Sequence, residues 1–253
     1  MSDVVLRTHE LVKRFGGITA TNKVSLDIRR GARHALIGPN GAGKTTLINL
    51  LTGVMPPSSG RVELQGRNIT TLAPHRRVGL GLVRTFQINQ LFGTLTPLKS
   101  LALAVASRRD AARRWWQPVG ADVEIAAECE ALLAQFRLEQ HADRATRELP
   151  YGKRRLLEIA LAVACKPSVL LLDEPAAGVP ASERADVLAT VAALPAEVSV
   201  VLIEHDMDLV FSFATRITVL VNGGVLTEGT PKEIAADRAV QAVYLGDGEF
   251  AHA

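Results

Sequence analysis

The fold of this chain is decided by a glycine-rich stretch that follows a short apolar run and reads Gly38-Pro39-Asn40-Gly41-Ala42-Gly43-Lys44-Thr45. It satisfies the pattern G-x-x-x-x-G-K-[ST], in which glycines let successive backbone N–H groups turn toward phosphate oxygens. Residues Lys44 to Thr52 carry apolar side chains at helical spacing, and Gly53 ends that pattern. A strand, a loop and a helix therefore follow one another in the order of a phosphate-binding loop, which predicts a nucleoside triphosphate ligand.

Side chains with catalytic chemistry occur in this loop and in a second segment. Lys44 offers a positive charge to the phosphates, and Thr45 offers a hydroxyl to Mg²⁺. The apolar run Val169 to Leu172 ends in Asp173 and Glu174, and in α/β sheets ligands bind at the carboxyl ends of strands. We expect Asp173 to hold Mg²⁺ and Glu174 to orient and deprotonate the attacking water.

The remaining pattern predicts an α/β fold, a P-loop NTPase core with an N-terminal antiparallel β subdomain and an inserted α-helical subdomain. We expect one domain over residues 1–253, with a catalytic core of 1–87 and 161–253 and a helical part of 88–160. Early strands are predicted at Val4–Leu6, Leu11–Val12, Val24–Ile28 and Ala32–Ile37. Helices are predicted at Pro97–Ser107, Asp122–Leu138, Ala181–Leu194 and Met207–Phe213, and later strands at Val169–Leu172, Val198–Ile203 and Ile217–Val221.

Composition restricts the class of protein. The chain has 253 residues, of which 47% are hydrophobic, enough for a sizeable core. Its apolar runs are far shorter than the roughly 20 residues of a membrane span, and the first residues lack a secretory pattern, so we expect a cytosolic location. Cys129 and Cys165 are expected to be buried thiols. No block of five or six like charges occurs, so nucleic acid is not an expected partner.

A phosphate loop is shared by GTPases, metabolite kinases, helicases and transport ATPases, and further features separate these classes. Guanine recognition needs Asn-Lys-x-Asp, whereas the Asn-Lys pair here continues as Asn22-Lys23-Val24-Ser25. Three other features stand in a fixed order: Gln87 after an apolar run, Leu149-Pro150-Tyr151-Gly152-Lys153 before the Asp-Glu strand, and His205 after the next strand. In that order and spacing they resemble the ATP-binding cassette (ABC) family, the ATP-hydrolysing subunits of ABC transporters.

The resemblance extends from about residue 5 to residue 245 and implies roles for individual residues. Phe15 corresponds to the aromatic residue that stacks on adenine, with packing in the core as the alternative. Residues Gly38 to Thr46 correspond to the Walker A loop, and Gln87 to the glutamine that touches Mg²⁺ and senses the γ-phosphate. His205 corresponds to the histidine that hydrogen-bonds the γ-phosphate.

The resemblance also implies a dimer with two ATP molecules at its interface. Tyr151, Gly152 and Lys153 fall in the signature that caps the γ-phosphate bound to the opposite subunit. Two departures from the family pattern occur: Pro150 and Tyr151 replace a serine and a glycine, and the segment Ala176–Pro180 lacks the aspartate that usually ends the D-loop.

Several stretches resemble the ATPase subunits of branched-chain amino acid importers. They are Arg84-Thr85-Phe86-Gln87, Tyr151-Gly152 with Leu157 to Ala160, Asp173 to Gly178, Ile203 to Met207 and Tyr244-Leu245-Gly246. This implies a second ATPase subunit, identical or similar, membrane permeases and a periplasmic binding protein, with the chain on the cytoplasmic face of the inner membrane. A small-molecule P-loop kinase and a non-transport ABC ATPase are the alternatives. For the basic and aromatic segment Arg108–Trp116 we favour a solvated loop over a membrane contact.

Overall fold

The structure is a computed structural model that describes residues 3–85, 91–109 and 122–244. By their contacts, the described residues form two compact units. The core unit falls within Met1–Arg84, Ser168–Glu174 and Pro195–Ala253, and the helical unit within Thr85–Pro167 and Pro175–Leu194. None of the helices in the described ranges is long and apolar enough to cross a membrane.

The first sheet of the core unit is antiparallel, as predicted, and has the strand order β2-β1-β5-β6 with β3 also paired to β1. Its strands are β1 (Val4–Phe15), β2 (Ile18–Val24), β3 (Asp27–Arg29), β5 (Ser59–Leu64) and β6 (Arg67–Asn68). The single strand predicted over Val24–Ile28 is wrong, because the buried Thr8 hydroxyl interrupts the pairing there. That hydroxyl donates to the Val24 carbonyl and accepts from the Leu26 amide, at 2.9 Å each.

The second sheet has the order β11-β10-β4-β9-β8-β7. Its strands are β4 (Arg33–Ile37), β7 (Leu82–Arg84), β8 (Val169–Asp173), β9 (Ser199–Ile203), β10 (Arg216–Val221) and β11 (Gly224–Gly229). All neighbours pair in parallel except β10 and β11. Every residue of β8 and β9 is buried, as is typical of strands in a parallel sheet.

The described residues of the core unit also form the helices α1 (Lys44–Thr52), α2 (Pro74–Gly79), α7 (Met207–Phe213), α8 (Pro231–Ala236) and α9 (Arg238–Tyr244). Helix α1 has the predicted bounds and ends at Gly53, whose φ of 76° suits a glycine. Arg77 of α2 is fully buried and closes the end of α1, because its guanidinium donates to the carbonyls of Leu50 and Leu51.

The helical unit contains α3 (Pro97–Arg108), α4 (Val123–Gln135), α5 (Tyr151–Ala164) and α6 (Ala181–Ala192). Helix α4 begins after Asp122, whose side chain caps it, and ends three residues before the predicted Leu138. Arg137 there takes a φ of 53°, which breaks the helix. Cys129 is buried as expected, whereas Cys165 is only partly buried, and both are free thiols.

The bounds predicted for the helical part, 88–160, stay a prediction. In the structure, α6 packs against α5, and the segment Pro175–Leu194 groups with the helical unit. The segment Ser168–Glu174 groups with the core unit, because β8 lies inside the parallel sheet.

Candidate nucleotide-binding site

Three neighbouring strands of the core unit end at the same edge of the parallel sheet. Strand β9 pairs with β4 on one side, with Leu36 opposite Ile203, and with β8 on the other, with Asp173 opposite Ile203. The residues that follow these strands are the phosphate loop after β4, Glu174 after β8 and the pair Glu204-His205 after β9. Parallel pairing therefore brings the predicted loop, acidic pair and histidine to one carboxyl edge.

Close backbone approaches explain the first and last glycines of the loop. A Cβ atom at Gly38 would overlap the Leu220 carbonyl oxygen, and one at Gly43 would overlap the Ala20 carbonyl oxygen. Gly43 also has a φ of 96°, in the left-handed region that favours glycine. Gly41 differs, because a Cβ atom there would meet no atom within 4 Å, although its φ is 80°.

The helix that follows the loop begins without a side-chain cap, because Gly43 stands at the N-cap. The Leu47 amide donates to the Gly43 carbonyl at 2.9 Å, so the amides of the first helical turn lie at the loop. The Lys44 ammonium lies over the loop and donates to the carbonyls of Gly38 and Pro39. Amides, a helix dipole and an ammonium together suit a phosphate group.

Asp173 is buried at the end of β8 and is held by Arg84, a residue for which no role was predicted. The Arg84 guanidinium on the adjacent strand β7 donates to the Asp173 carboxylate at 2.6 Å and to the Asn49 side-chain oxygen at 2.7 Å. This ion pair holds the carboxylate in a fixed orientation. An arginine at the end of a buried strand is the sequence signal that could have indicated this partner.

Glu174 and His205 lie next to each other beyond the strand ends. The Glu174 amide donates to the Ile203 carbonyl at 2.9 Å, and the residue takes a φ of 46°, a strained geometry that is common at functional sites. His205 is 63% exposed, and its Nδ1 lies 3.9 Å from the Glu174 carboxylate and 3.8 Å from that of Glu204. Glu204 is only 2% exposed, and sequence reasoning did not assign it a role.

Phe15 stands at the end of β1 with 46% of its surface exposed, so the alternative that it packs in the core is wrong. The Lys13 ammonium lies 5.3 Å from the centre of its ring. Stacking of Phe15 on adenine stays a prediction.

The predicted signature residues lie in the helical unit, at the start of α5. Pro150 is the N-cap and provides no side-chain hydrogen bond. The Lys153 ammonium donates to the Arg137 carbonyl at 3.1 Å, and the Glu183 carboxylate lies against the Cα of Gly152, in the space that a side chain would fill. Glu183 is a contact that sequence reasoning missed. Contact of Tyr151, Gly152 and Lys153 with nucleotide stays a prediction.

Two predicted features lie outside the described residues. They are Gln87, predicted to touch Mg²⁺, and the pair Trp115-Trp116 of the basic and aromatic segment.

The donor set at the carboxyl edge fits Mg²⁺ carried by a nucleotide. Within residues 3–85, 91–109 and 122–244, no group of three His, Cys, Asp or Glu side chains could hold a metal by itself. Thr45 is an exposed residue with a hydroxyl and Asp173 has one carboxylate, and Mg²⁺ typically binds through one or two such ligands plus phosphate oxygens. A phosphate loop and an acidic strand end at one edge of a parallel sheet define a P-loop NTPase.

Similarity to known proteins identifies the family to which this P-loop NTPase belongs. The family model described as ABC transporter matches residues 21–177, and a model described as branched-chain amino acid ATP-binding cassette transporter matches residues 225–249. The high-affinity branched-chain amino acid transport ATP-binding protein BraF of Pseudomonas aeruginosa is 39% identical over 98% of this chain and 100% of its own. The corresponding protein LivG of Salmonella typhimurium is 37% identical with the same coverage.

Among solved structures, the ADP conformation of an ATP-binding cassette of an ABC transporter superposes with a TM-score of 0.85. It is 30% identical and covers 97% of this chain and 100% of its own. The chain belongs to the ABC transporter family, in the group of branched-chain amino acid ATP-binding cassette proteins. The resemblance inferred from the motifs and the predicted fold class are thereby confirmed.

Proposed function

We propose that this chain is the ATP-hydrolysing subunit of a transporter that imports branched-chain or other hydrophobic amino acids. The observation that carries the proposal is the convergence of the phosphate loop, Glu174 and His205 at one edge of the parallel sheet. Relatives at 37–39% identity over the whole chain are named as branched-chain amino acid transport ATP-binding proteins, which supports the substrate class.

The chemistry we propose is attack of water on the γ-phosphorus of ATP, which breaks the bond to the β–γ bridging oxygen and releases ADP and inorganic phosphate. The phosphate loop amides and Lys44 bind the β- and γ-phosphates, and Glu174 accepts the proton of the attacking water. His205, which lies 3.9 Å from Glu174, donates to the γ-phosphate. Thr45, Asp173 and Gln87 would hold Mg²⁺, which neutralises phosphate charge when it is bound.

The partners we propose follow from the family. A second ATPase subunit, another copy or a similar chain, would pair with this one so that two ATP molecules lie between them. Membrane permease subunits would hold the pair at the cytoplasmic face of the inner membrane, and a periplasmic binding protein would deliver the amino acid to the permeases.

We also propose that the signature of this chain caps ATP weakly. Pro150 offers no hydroxyl at the start of α5, and a hydrogen bond to a charged group contributes about 1.5 to 3 kcal/mol. Pro150→Ser should therefore raise ATP-driven pairing and turnover, and unchanged values of both would contradict this hypothesis.

Phosphate release from Mg-ATP by the purified chain tests the proposed activity. We expect Lys44→Ala and Glu174→Gln each to lower the rate by at least about 100-fold, with ATP binding retained only in Glu174→Gln. Lys232→Ala, an exposed lysine outside the site, is the matched control. Transfer of the phosphate to an added small-molecule acceptor instead of water would contradict the proposal and indicate a kinase.

Uptake of labelled leucine tests the transport part. In cells that express the chain with its permeases and binding protein, uptake should depend on the chain and stop in Glu174→Gln. Uptake that persists in that variant would contradict the proposal.

A further inference from the structure

The first turns of α5 contact the segment that begins one residue after Glu174, which we call the 175–180 loop. The Tyr151 hydroxyl donates to the Ala177 carbonyl at 3.2 Å. One turn along, the buried Arg155 guanidinium donates to the Pro175 carbonyl at 3.0 Å. All of these residues belong to the helical unit. Two hydrogen bonds from one helix therefore hold two carbonyls of the same short loop.

The ring of Tyr151 also fills the space beside Gly178. A Cβ atom at Gly178 would lie 2.8 Å from the Tyr151 Oη, closer than Cβ atoms come in real structures, and 3.0 Å from its Cζ. Gly178 has a φ of 72°, which favours glycine, and a larger residue there would have to displace the tyrosine ring. The Arg154 guanidinium lies 5.5 Å from the centre of the ring, within the range of a cation–π contact. The tyrosine is thus packed against the loop.

Two departures from the general ABC pattern, both in stretches that resemble the branched-chain importers, meet in this contact. Tyr151 replaces a signature glycine, and the 175–180 loop is the segment that lacks the usual aspartate. A glycine at 151 could make neither the hydroxyl bond to Ala177 nor the ring contact with Gly178. Tyr151 in the helix therefore provides a side chain that orders the 175–180 loop.

We propose that Tyr151 is a positioning residue that couples the first turn of α5 to the 175–180 loop. Phosphate bound at the start of α5 fixes Tyr151, and Tyr151 in turn fixes the loop that follows Glu174. This inference rests on the proposed function, because it assigns a role to the α5 turn when ATP is hydrolysed. The coupling acts on turnover and leaves the phosphate loop, which lies in the core unit, unchanged.

The expected effects separate turnover from ATP affinity. Tyr151→Phe keeps the ring and removes the hydroxyl bond, so kcat should fall by about 2- to 12-fold, the range for one hydrogen bond, with KM for ATP unchanged. Tyr151→Gly restores the usual glycine and removes both contacts, so kcat should fall further. Tyr244→Phe, which alters the other tyrosine of the chain, is the matched control and should change neither value.

Hydrogen exchange of the purified chain without nucleotide tests the contact independently of hydrolysis. The Val179 amide donates to the Ala176 carbonyl at 3.1 Å, so it reports order in the loop. We expect its exchange to rise about 2- to 12-fold in Tyr151→Phe and more in Tyr151→Gly. In a Tyr151→Gly background, Gly178→Ala should raise Val179 exchange by less than it does in the wild-type chain, because the tyrosine ring is no longer there.

Unchanged Val179 exchange in both Tyr151 variants would overturn the inference, and so would unchanged kcat beside a normal wild-type rate. A wild-type chain that binds ATP and hydrolyses none would instead overturn the proposed function. The exchange measurement distinguishes these failures, because it needs no ATPase activity.

Discussion

Two helices of this protein begin where phosphate is expected to bind, and they are built differently. Helices α1 and α5 both begin without a side-chain cap, as α2 and α6 also do, whereas side chains of Thr96, Asp122, Asp206 and Thr230 cap α3, α4, α7 and α8. The start of α1 is shaped by Gly38 and Gly43, where a Cβ atom would overlap a backbone carbonyl oxygen. The start of α5 is shaped by side chains, namely Tyr151 and Glu183. Uncapped amides can thus be presented by backbone geometry alone or by side-chain packing.

The largest effect should come from adding one methyl group before α1. In Gly43→Ala the new methyl group would overlap the Ala20 carbonyl oxygen, and alanine would have to adopt a φ of 96°, so ATP binding should weaken by about 100-fold or more. In Gly41→Ala the methyl group would lie in open space and only the φ of 80° is unfavourable, so binding should weaken about tenfold. Fluorescent-ATP titration measures both. Equal losses of affinity in the two variants would show that the positive φ alone, and not the contact with Ala20, requires glycine at position 43.

The other end of α1 should prove as important for stability. Arg77→Met removes hydrogen bonds from a buried guanidinium to the carbonyls of Leu50, Leu51, Leu72 and Thr70. The variant should lose about 3 kcal/mol of unfolding free energy in urea, because four buried or partly buried carbonyls lose a hydrogen-bond donor. Arg76→Met, on the exposed neighbour, should lose less than about 0.5 kcal/mol. A small loss of unfolding free energy in Arg77→Met would show that α1 does not depend on the hydrogen bonds from Arg77.

Acid should weaken the core unit through the strand that leads into the phosphate loop. Burial lowers the pKa of His34 to about 4, while Glu228 raises and Arg216 lowers that pKa to smaller extents. Between about pH 6.5 and 4 the unfolded chain binds a proton that the folded chain does not, so stability falls as pH falls. From pH 7 to pH 5 the loss should be about 2 kcal/mol.

The matched variant for this pH effect is His34→Gln, which can still bond to the Thr218 hydroxyl, 2.8 Å from the His34 Nε2. Its unfolding free energy should change less between pH 7 and pH 5 than that of the wild-type chain. Parallel pH profiles would assign the acid sensitivity to other groups.

The smallest effect tests how side chains shape α5. Gly152→Ala would collide with the Glu183 carboxylate, which is the flexible end of a side chain, so kcat should fall only about three- to tenfold. Glu183→Ala should remove the collision, and the double variant should recover most of the lost rate. If kcat is not recovered in the double variant, backbone geometry, as at the start of α1, also requires glycine at position 152.

The parts of this protein that sequence predicts best depend on neighbours along the chain. Helices α1 and α7 have the predicted bounds, because a glycine ends the first and Asp206 caps the second. The buried strands β8 and β9 were also predicted to within a residue, since continuous apolar runs of that length are typical of a parallel sheet. The order of motifs then predicted the family.

The parts that sequence missed depend on contacts between distant residues. Thr8 separates β2 from β3 by bonding to residues at least 16 positions away. Arg84 reaches Asp173 across 89 positions. Tyr151 reaches Ala177 across 26 positions. Local pattern carries no information on such pairs, because side-chain direction is set only once the strands and helices are packed.

The most direct test of the two helix starts is the mass of purified Glu174→Gln chain in solution, measured by light scattering with and without Mg-ATP. If α1 binds ATP in its own chain and α5 caps ATP held by a second copy, blocking hydrolysis should trap a pair, and the mass should double with ATP. A mass that stays at one chain, 27.1 kDa, at ATP concentrations that saturate binding would contradict capping by the α5 of a second copy of this chain.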